Sequence, residues 1–152
     1  MRWLHAQGHS VVGIDQSAEA VAACEGLGEL ICADIENAPW PLPGRQFGGI
    51  VVTNYLHRPL LPTLLDSLLP EGVLLYETFA QGQETVGRPS RPAFLLEPGE
   101  LLRLCQGLRI VAFEDGFEPT GPDTGRFVQR IAAVRPPSHL PAPPRYLLPA
   151  YR

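Results

Sequence analysis

Residues 10–20, SVVGIDQSAEA, decide how the chain is read. Val11, Val12 and Ile14 are β-branched and suit a buried strand, which runs directly into a carboxylate, Asp15. Gln16, Ser17 and Glu19 then offer helix-start chemistry. The order strand, acid, helix places Asp15 at a strand's carboxyl end, where open α/β sheets form their ligand crevice. A carboxylate there accepts both hydrogen bonds of a ribose diol, because its two oxygens are alike as acceptors. The stretch therefore implies a nucleotide-type site. In such folds a strand and a Gly-rich turn come about twenty residues before the acid, and here fourteen residues precede Asp15.

Outward from this stretch the chain keeps a β-α rhythm. A short helix over residues 2–7 is closed by Gly8, and the helix after Asp15 covers residues 18–26. A second strand, residues 30–33, ends in another carboxylate, Asp34. Pro39, Pro41, Pro43 and Gly44 make residues 35–46 a turn-rich loop. Residues 47–53, FGGIVVT, form a near-continuous apolar run of the kind buried on both faces, with Asn54, Tyr55, Leu56 and His57 at its carboxyl end. A helix over residues 60–69 is stopped by Pro70 and Gly72, and the strand over 73–76 ends in Glu77 and Thr78, which read as a solvated strand end. A Gly/Pro-rich loop over 81–92, long enough for a lid, precedes a helix over 97–106. Strands over 108–114 and 126–134 close the pattern as an antiparallel pair joined by GFEPTGPDTG. Residues 1–135 thus read as one α/β domain, and residues 136–152, PPSHLPAPPRYLLPAYR, as an extended proline-rich tail.

Composition narrows the function. The 152 residues are 45% hydrophobic and 18% charged, ordinary for a globular core. A net charge of -4 argues against general nucleic-acid binding, which needs clustered Lys and Arg. All twelve basic residues are Arg, so a Schiff-base or P-loop lysine is excluded. Cys24, Cys32 and Cys105 show neither CxxC nor Cys/His spacing and read as reduced thiols, and no metal site is expected. The opening MRWLHAQGH is too short and polar for a signal peptide, and no apolar run reaches the eighteen or so residues of a membrane span, so a cytoplasmic protein without a membrane partner is expected.

Strand-Asp15, strand-Asp34, FGGIVVTNYL, LPEGVLLYETF and the closing hairpin together resemble class I S-adenosylmethionine-dependent methyltransferases, over roughly residues 2–135. In finer detail the chain is similar to the small bacterial methyltransferases grouped with tellurite-resistance and type 11/12 enzymes. The resemblance implies a Rossmann-like, doubly wound, mostly parallel sheet with a C-terminal antiparallel hairpin. It implies S-adenosylmethionine as cofactor, with Asp15 and the adjacent Gln16 at the ribose hydroxyls, Asp34 at the adenine amino group and Ile35 beside the ring. Asn54 and Tyr55 would lie near the methionine part, with His57 in the methyl-transfer pocket and Arg88 and Arg91 of the long loop available to an anionic small-molecule acceptor. No catalytic residue is assigned, since in-line displacement at a sulfonium carbon needs alignment more than acid-base groups. The family's first strand and its E/D-x-G-x-G-x-G turn have no counterpart here. That strand sits between those ending in Asp15 and Asn54, so two inner sheet edges are expected to be unpaired, as in an N-terminally truncated methyltransferase fold whose Met1 is internal to a longer reading frame.

Two other readings stand beside this one. The first is a non-catalytic binding or interaction protein on a degenerate methyltransferase fold. The second is a nicotinamide-dependent oxidoreductase, which also uses an acid after its second strand, although Asp34 and the antiparallel ending favour the methyltransferase. Oligomeric state and the acceptor's identity are not encoded in any motif.

Overall fold

A computed structural model describes residues 1–137, so the proline-rich tail from Ser138 onward lies outside the described residues. The chain forms two compact units, one over Met1–Arg45 and one from Gln46 onward. No helix among the described residues is long and apolar enough to cross a membrane.

The first unit holds α1 (Arg2–Ala6), β1 (Val12–Asp15), α2 (Ala18–Ala22) and β2 (Glu29–Cys32). The two strands are parallel, with Asp15 beside Cys32. Ser17 caps α2, its hydroxyl oxygen accepting the Ala20 N–H at 3.2 Å. The helix ends earlier than its apolar residues suggest, because Gly26 and Gly28 both take positive φ. At Gly28 a Cβ would stand 2.2 Å from the Val11 carbonyl oxygen, so only glycine lets the chain enter β2 this close to β1.

The second unit is built on a four-stranded sheet in the order β3-β4-β6-β5, from β3 (Phe47–Thr53), β4 (Leu68–Phe79), β5 (Arg109–Gly121) and β6 (Thr124–Val134). β3 and β4 are parallel, and β6 runs antiparallel to both β4 and β5. Between β3 and β4 come a 3-10 turn (Arg58–Leu60) and α3 (Leu61–Asp66), and α4 (Glu100–Leu104) precedes β5. Period-2 alternation sets the core: Leu74, Tyr76 and Thr78 of β4 are buried, as are Gln129, Ile131 and Ala133 of β6, together with Leu60, Leu61, Leu64, Leu101 and Cys105. The opposite face of β3 and β4 leaves Val51, Val73 and Leu75 exposed, so β3, expected to be buried on both faces, has no fully buried residue: its bounds agree with the sequence reading and its burial does not.

The mostly parallel order with an antiparallel ending agrees with the sequence reading, and so do the two open edges: β1 pairs only with β2, and β3 only with β4, among the described residues. Three details differ. The helix expected to reach Leu69 ends at Asp66, because Leu68 is buried and already pairs with Phe47. The Pro70–Gly72 segment lies inside β4, where the Glu71 N–H donates to the Arg135 carbonyl and the Gly72 carbonyl accepts from the Arg135 N–H, both at 2.9 Å. Finally, most of GFEPTGPDTG is ladder, with Glu118 opposite Arg126, Pro119 opposite Gly125 and only Pro122 and Asp123 left for the turn. Gly125 makes this possible, since a Cβ there would lie 2.1 Å from the Phe117 ring, which instead crosses the hairpin to stand 5.0 Å from the Phe127 ring.

Candidate functional site

In the first unit, parallel pairing brings the carboxyl ends of β1 and β2 together, and with them Asp15, Gln16, Asp34 and Ile35. The Ala33 N–H donates to the Asp15 carbonyl at 3.0 Å, which fixes the step into Asp34. One oxygen of Asp15, Oδ1, accepts the Ser17 N–H at 2.8 Å. Oδ2 takes no hydrogen bond among the described residues, so Asp15 serves the turn with one oxygen and leaves the other open as an acceptor. Asp34 is more heavily engaged. Its Oδ1 accepts the Glu36 and Asn37 N–H groups at 3.0 and 3.1 Å, and its Oδ2 accepts the Asn37 side-chain amide at 2.8 Å. Each oxygen of a carboxylate accepts about two hydrogen bonds, which leaves less room at Asp34 than at Asp15.

In the second unit, Asn54 and Tyr55 follow β3 beside the carboxyl end of β4. Asn54 holds φ +53°, a left-handed conformation that Asn tolerates better than most residues. Two bonds hold it there: its own N–H donates to the Glu77 carbonyl at 2.9 Å, and the buried Tyr76 hydroxyl donates to the Tyr55 carbonyl at 2.8 Å. Burial raises the Tyr76 pKa, so this hydroxyl stays a donor across the physiological range.

His57 leads into Arg58, whose guanidinium draws three segments together. Its Nε and Nη2 fork onto the Glu100 carboxylate at 2.7 and 2.9 Å, while Nη1 and Nη2 donate to the Ala93 and Leu95 carbonyls, each at 2.9 Å. Burial acts to raise the Glu100 pKa, but Arg58 and the Glu97 N–H outweigh it and hold the carboxyl below its ordinary value. The loop carrying Arg88 and Arg91 is pinned rather than free to swing. Its ends meet in a bridge between Ala80 and Leu96, and inside it the buried Gln83 donates to the Arg88 carbonyl at 3.1 Å and accepts the Phe127 N–H at 2.9 Å.

Sequence patterns did not reveal two groups. Arg58 and Glu100 lie 42 residues apart, so only the fold pairs them. Glu77, read as a solvated strand end, belongs to an ion-pair array with Arg126, Arg130, Glu114 and Glu118, and its neighbour Thr78 is buried. The signal was present as acids and arginines spaced four apart in the last two strands, at Glu114/Glu118 and Arg126/Arg130, which places each pair on one face of its strand. No cluster of potential metal ligands occurs among the described residues.

No family model and no curated protein matches the chain. Solved structures do. TehB from Haemophilus influenzae superposes with a TM-score of 0.72 at 15% identity, over 88% of this chain and 52% of TehB. An S-adenosylmethionine-dependent methyltransferase from Methanosarcina mazei gives 0.62 at 16% identity, over 90% of this chain and 87% of the other. The chain has the class I S-adenosylmethionine-dependent methyltransferase fold. It spans about half the length of TehB. That methyltransferase fold also hosts other chemistry, as in the [4+2]-cyclase SpnF, which matches with a TM-score of 0.57 at 13% identity over 85% of this chain and 67% of SpnF.

Proposed function

We propose that this chain serves S-adenosylmethionine-dependent methyl transfer to a small-molecule acceptor. The observation that carries this reading is the carboxylate of Asp15, which closes the β1–α2 turn with Oδ1 and leaves Oδ2 open at the carboxyl end of a parallel strand pair. The fit to the cofactor's adenosine half is good. Asp15 and Gln16 hold the ribose hydroxyls, Ile35 lies against the adenine ring, and Asp34 meets the adenine amino group with whatever acceptor capacity its turn leaves.

When bound, the cofactor supplies a methyl group on a sulfonium, an electrophile that needs in-line approach by the acceptor. Asn54 and Tyr55, held by the Glu77 carbonyl and the Tyr76 hydroxyl, shape the methyl-transfer pocket, and His57 faces the acceptor. Arg88 and Arg91, on a loop pinned by Gln83, attract an anionic group on the acceptor.

A second reading, a non-catalytic protein on this fold, is favoured by Asp34, whose two oxygens are already engaged by its own turn. Calorimetric titration with S-adenosylmethionine separates the two. Micromolar binding that weakens about tenfold or more in Asp15→Asn is expected, since Asn keeps an acceptor for the Ser17 N–H but turns the open oxygen into a donor. Absence of binding, both by this chain and by a version extended upstream in frame, would favour the non-catalytic protein.

A further inference from the structure

Two pairs of neighbouring arginines in the second unit meet opposite surroundings. In the hairpin, Arg126 and Arg130 are matched by carboxylates that bridge them. Glu118 accepts from Arg126 Nε at 2.6 Å and from Arg130 Nη2 at 2.5 Å, and Glu77 accepts from Arg126 Nη2 at 3.0 Å and from Arg130 Nε. Glu114 adds a further carboxylate at Arg130. Two adjacent guanidiniums are thus held by acids shared between them, the arrangement that their forked donors favour.

Arg88 and Arg91 have no such match. Both are exposed, and neither guanidinium meets an acceptor among the described residues. The other described arginines are all engaged: Arg45, Arg58 and Arg103 pair with acids, Arg2 and Arg135 donate to carbonyls, and Arg109 also has a partner. The single acid of the loop, Glu84, is turned back to accept the Gly82 N–H at 2.8 Å.

The backbone, by contrast, is fixed at both positions. The Arg88 carbonyl accepts the Gln83 side-chain amide at 3.1 Å, the Arg91 carbonyl accepts the Phe94 N–H at 2.9 Å, and Arg58 grips the Ala93 and Leu95 carbonyls just beyond. Arg91 is extended, with φ -79° and ψ 131°, as a residue before proline favours. Three chain steps separate the two, at most about 11 Å between Cα atoms, so both side chains reach one group. Two like charges held this close on a fixed loop repel unless a shared counter-charge lies between them.

We propose that Arg88 and Arg91 form one binding site for a dianionic oxyanion group, a phosphate monoester or a paired dicarboxylate, and that the methyl acceptor carries it. Its place on the acceptor rests on the methyl-transfer reading; the dianion site itself does not. The ligand takes the part that Glu77 and Glu118 play in the hairpin, two negative charges whose oxygens bridge two forks. A single carboxylate fills one guanidinium and leaves the other without a counter-charge.

Calorimetric titration of the whole chain with phenyl phosphate, phthalate and benzoate tests this, at low ionic strength and about pH 8, where a phosphate monoester is dianionic. Each titration is run without and with S-adenosylmethionine. The better dianion is expected to bind about tenfold or more tighter than benzoate, which shares the ring but carries one charge. Phenyl phosphate alone would name a phosphate monoester, phthalate alone a dicarboxylate, and both would assign the site by charge. Arg88→Gln and Arg91→Gln should each weaken that dianion about tenfold, whereas Arg103→Gln, which removes an exposed arginine already paired with Glu97, should not. Benzoate binding as tightly as the better dianion, absence of dianion binding in both conditions, or binding that survives the two substitutions would overturn the proposal. Dianion binding without S-adenosylmethionine binding would leave this site standing while the cofactor reading fell, and the reverse would remove this site alone.

Discussion

The two units differ in what holds them. Among the described residues, the unit over Met1–Arg45 buries a single side chain, that of Leu42, whereas the unit from Gln46 onward buries Leu68, Leu74, Tyr76, Leu96, Leu101 and the rest of the apolar core. The first is organised by local polar chemistry: the Ser17 cap, the Asp15 and Asp34 turns and the exposed Arg45–Glu29 ion pair. Each such contribution is worth about 1 kcal/mol, and an exposed ion pair less. The second unit rests on apolar burial, at about 1.5 to 3 kcal/mol for each large side chain. The residues proposed to bind the cofactor's adenosine half and the apolar core thus lie in different stretches of the chain.

Substitutions can break or sharpen that contrast. The largest effect is expected from Leu74→Ala, which empties a site 1% exposed in the middle of β4 and should cost about 2 to 5 kcal/mol in urea unfolding. The cysteines report where that loss is felt. Burial pushes the Cys105 thiol up to about 11, so it reacts only on opening of the second unit, whereas Cys32 is exposed. Leu74→Ala should hasten modification of Cys105 and leave Cys32 unchanged; equal acceleration at both would mean that the units unfold together.

Gln129→Leu comes next. Gln129 is fully buried, accepting the Leu101 N–H at 3.2 Å and donating to the Glu97 carbonyl at 2.6 Å. Leucine leaves both backbone groups unpaired, so a loss of about 1 to 3 kcal/mol is expected by the same unfolding assay. Ser17→Ala in the first unit should cost about 1 kcal/mol, seen as faster amide exchange over residues 18–23 with no change in the urea midpoint that Cys105 reports. A shifted midpoint would break the contrast.

The smallest effect is one of pH. Arg58 holds the folded pKa of Glu100 below its reference value of 4.5, so this carboxylate stabilises the fold above that pH. Its contribution falls away as the pH drops through the lower folded pKa. In Arg58→Ala the midpoint of unfolding should therefore depend less on pH below about 4.5 than in the parent chain.

Much of this was legible in the sequence, for reasons that differ by region. FGGIVVT announced β3 to the residue, because an apolar run bounded by turn chemistry has few other uses. Asp15 and Asp34 could be placed at strand ends because the strand before each is short and the helix or turn signal follows at once. The hairpin was obscured by its composition: Gly116, Pro119, Gly121 and Gly125 read as loop, yet Gly125 is there to admit the Phe117 ring. Nor could spacing reveal that Arg58 meets Glu100, or that Gln83 spans from Arg88 to Phe127, since those partners are set by tertiary packing alone.

The closed base of the 80–96 loop has a consequence for how this scaffold could be altered. Leu96 donates its N–H to the Phe79 carbonyl and accepts the Gln81 N–H, so the chain departs from the sheet and returns to it at nearly the same point. A segment whose ends already touch is a cassette. Residues between Val86 and Arg91 could be exchanged or lengthened at little entropic cost, each doubling of a flexible loop costing only about 0.6 kcal/mol, provided Gln83 and the Arg58–Glu100 fork stay in place. Libraries confined to that interval would vary the surface of the loop without disturbing the strands that carry it.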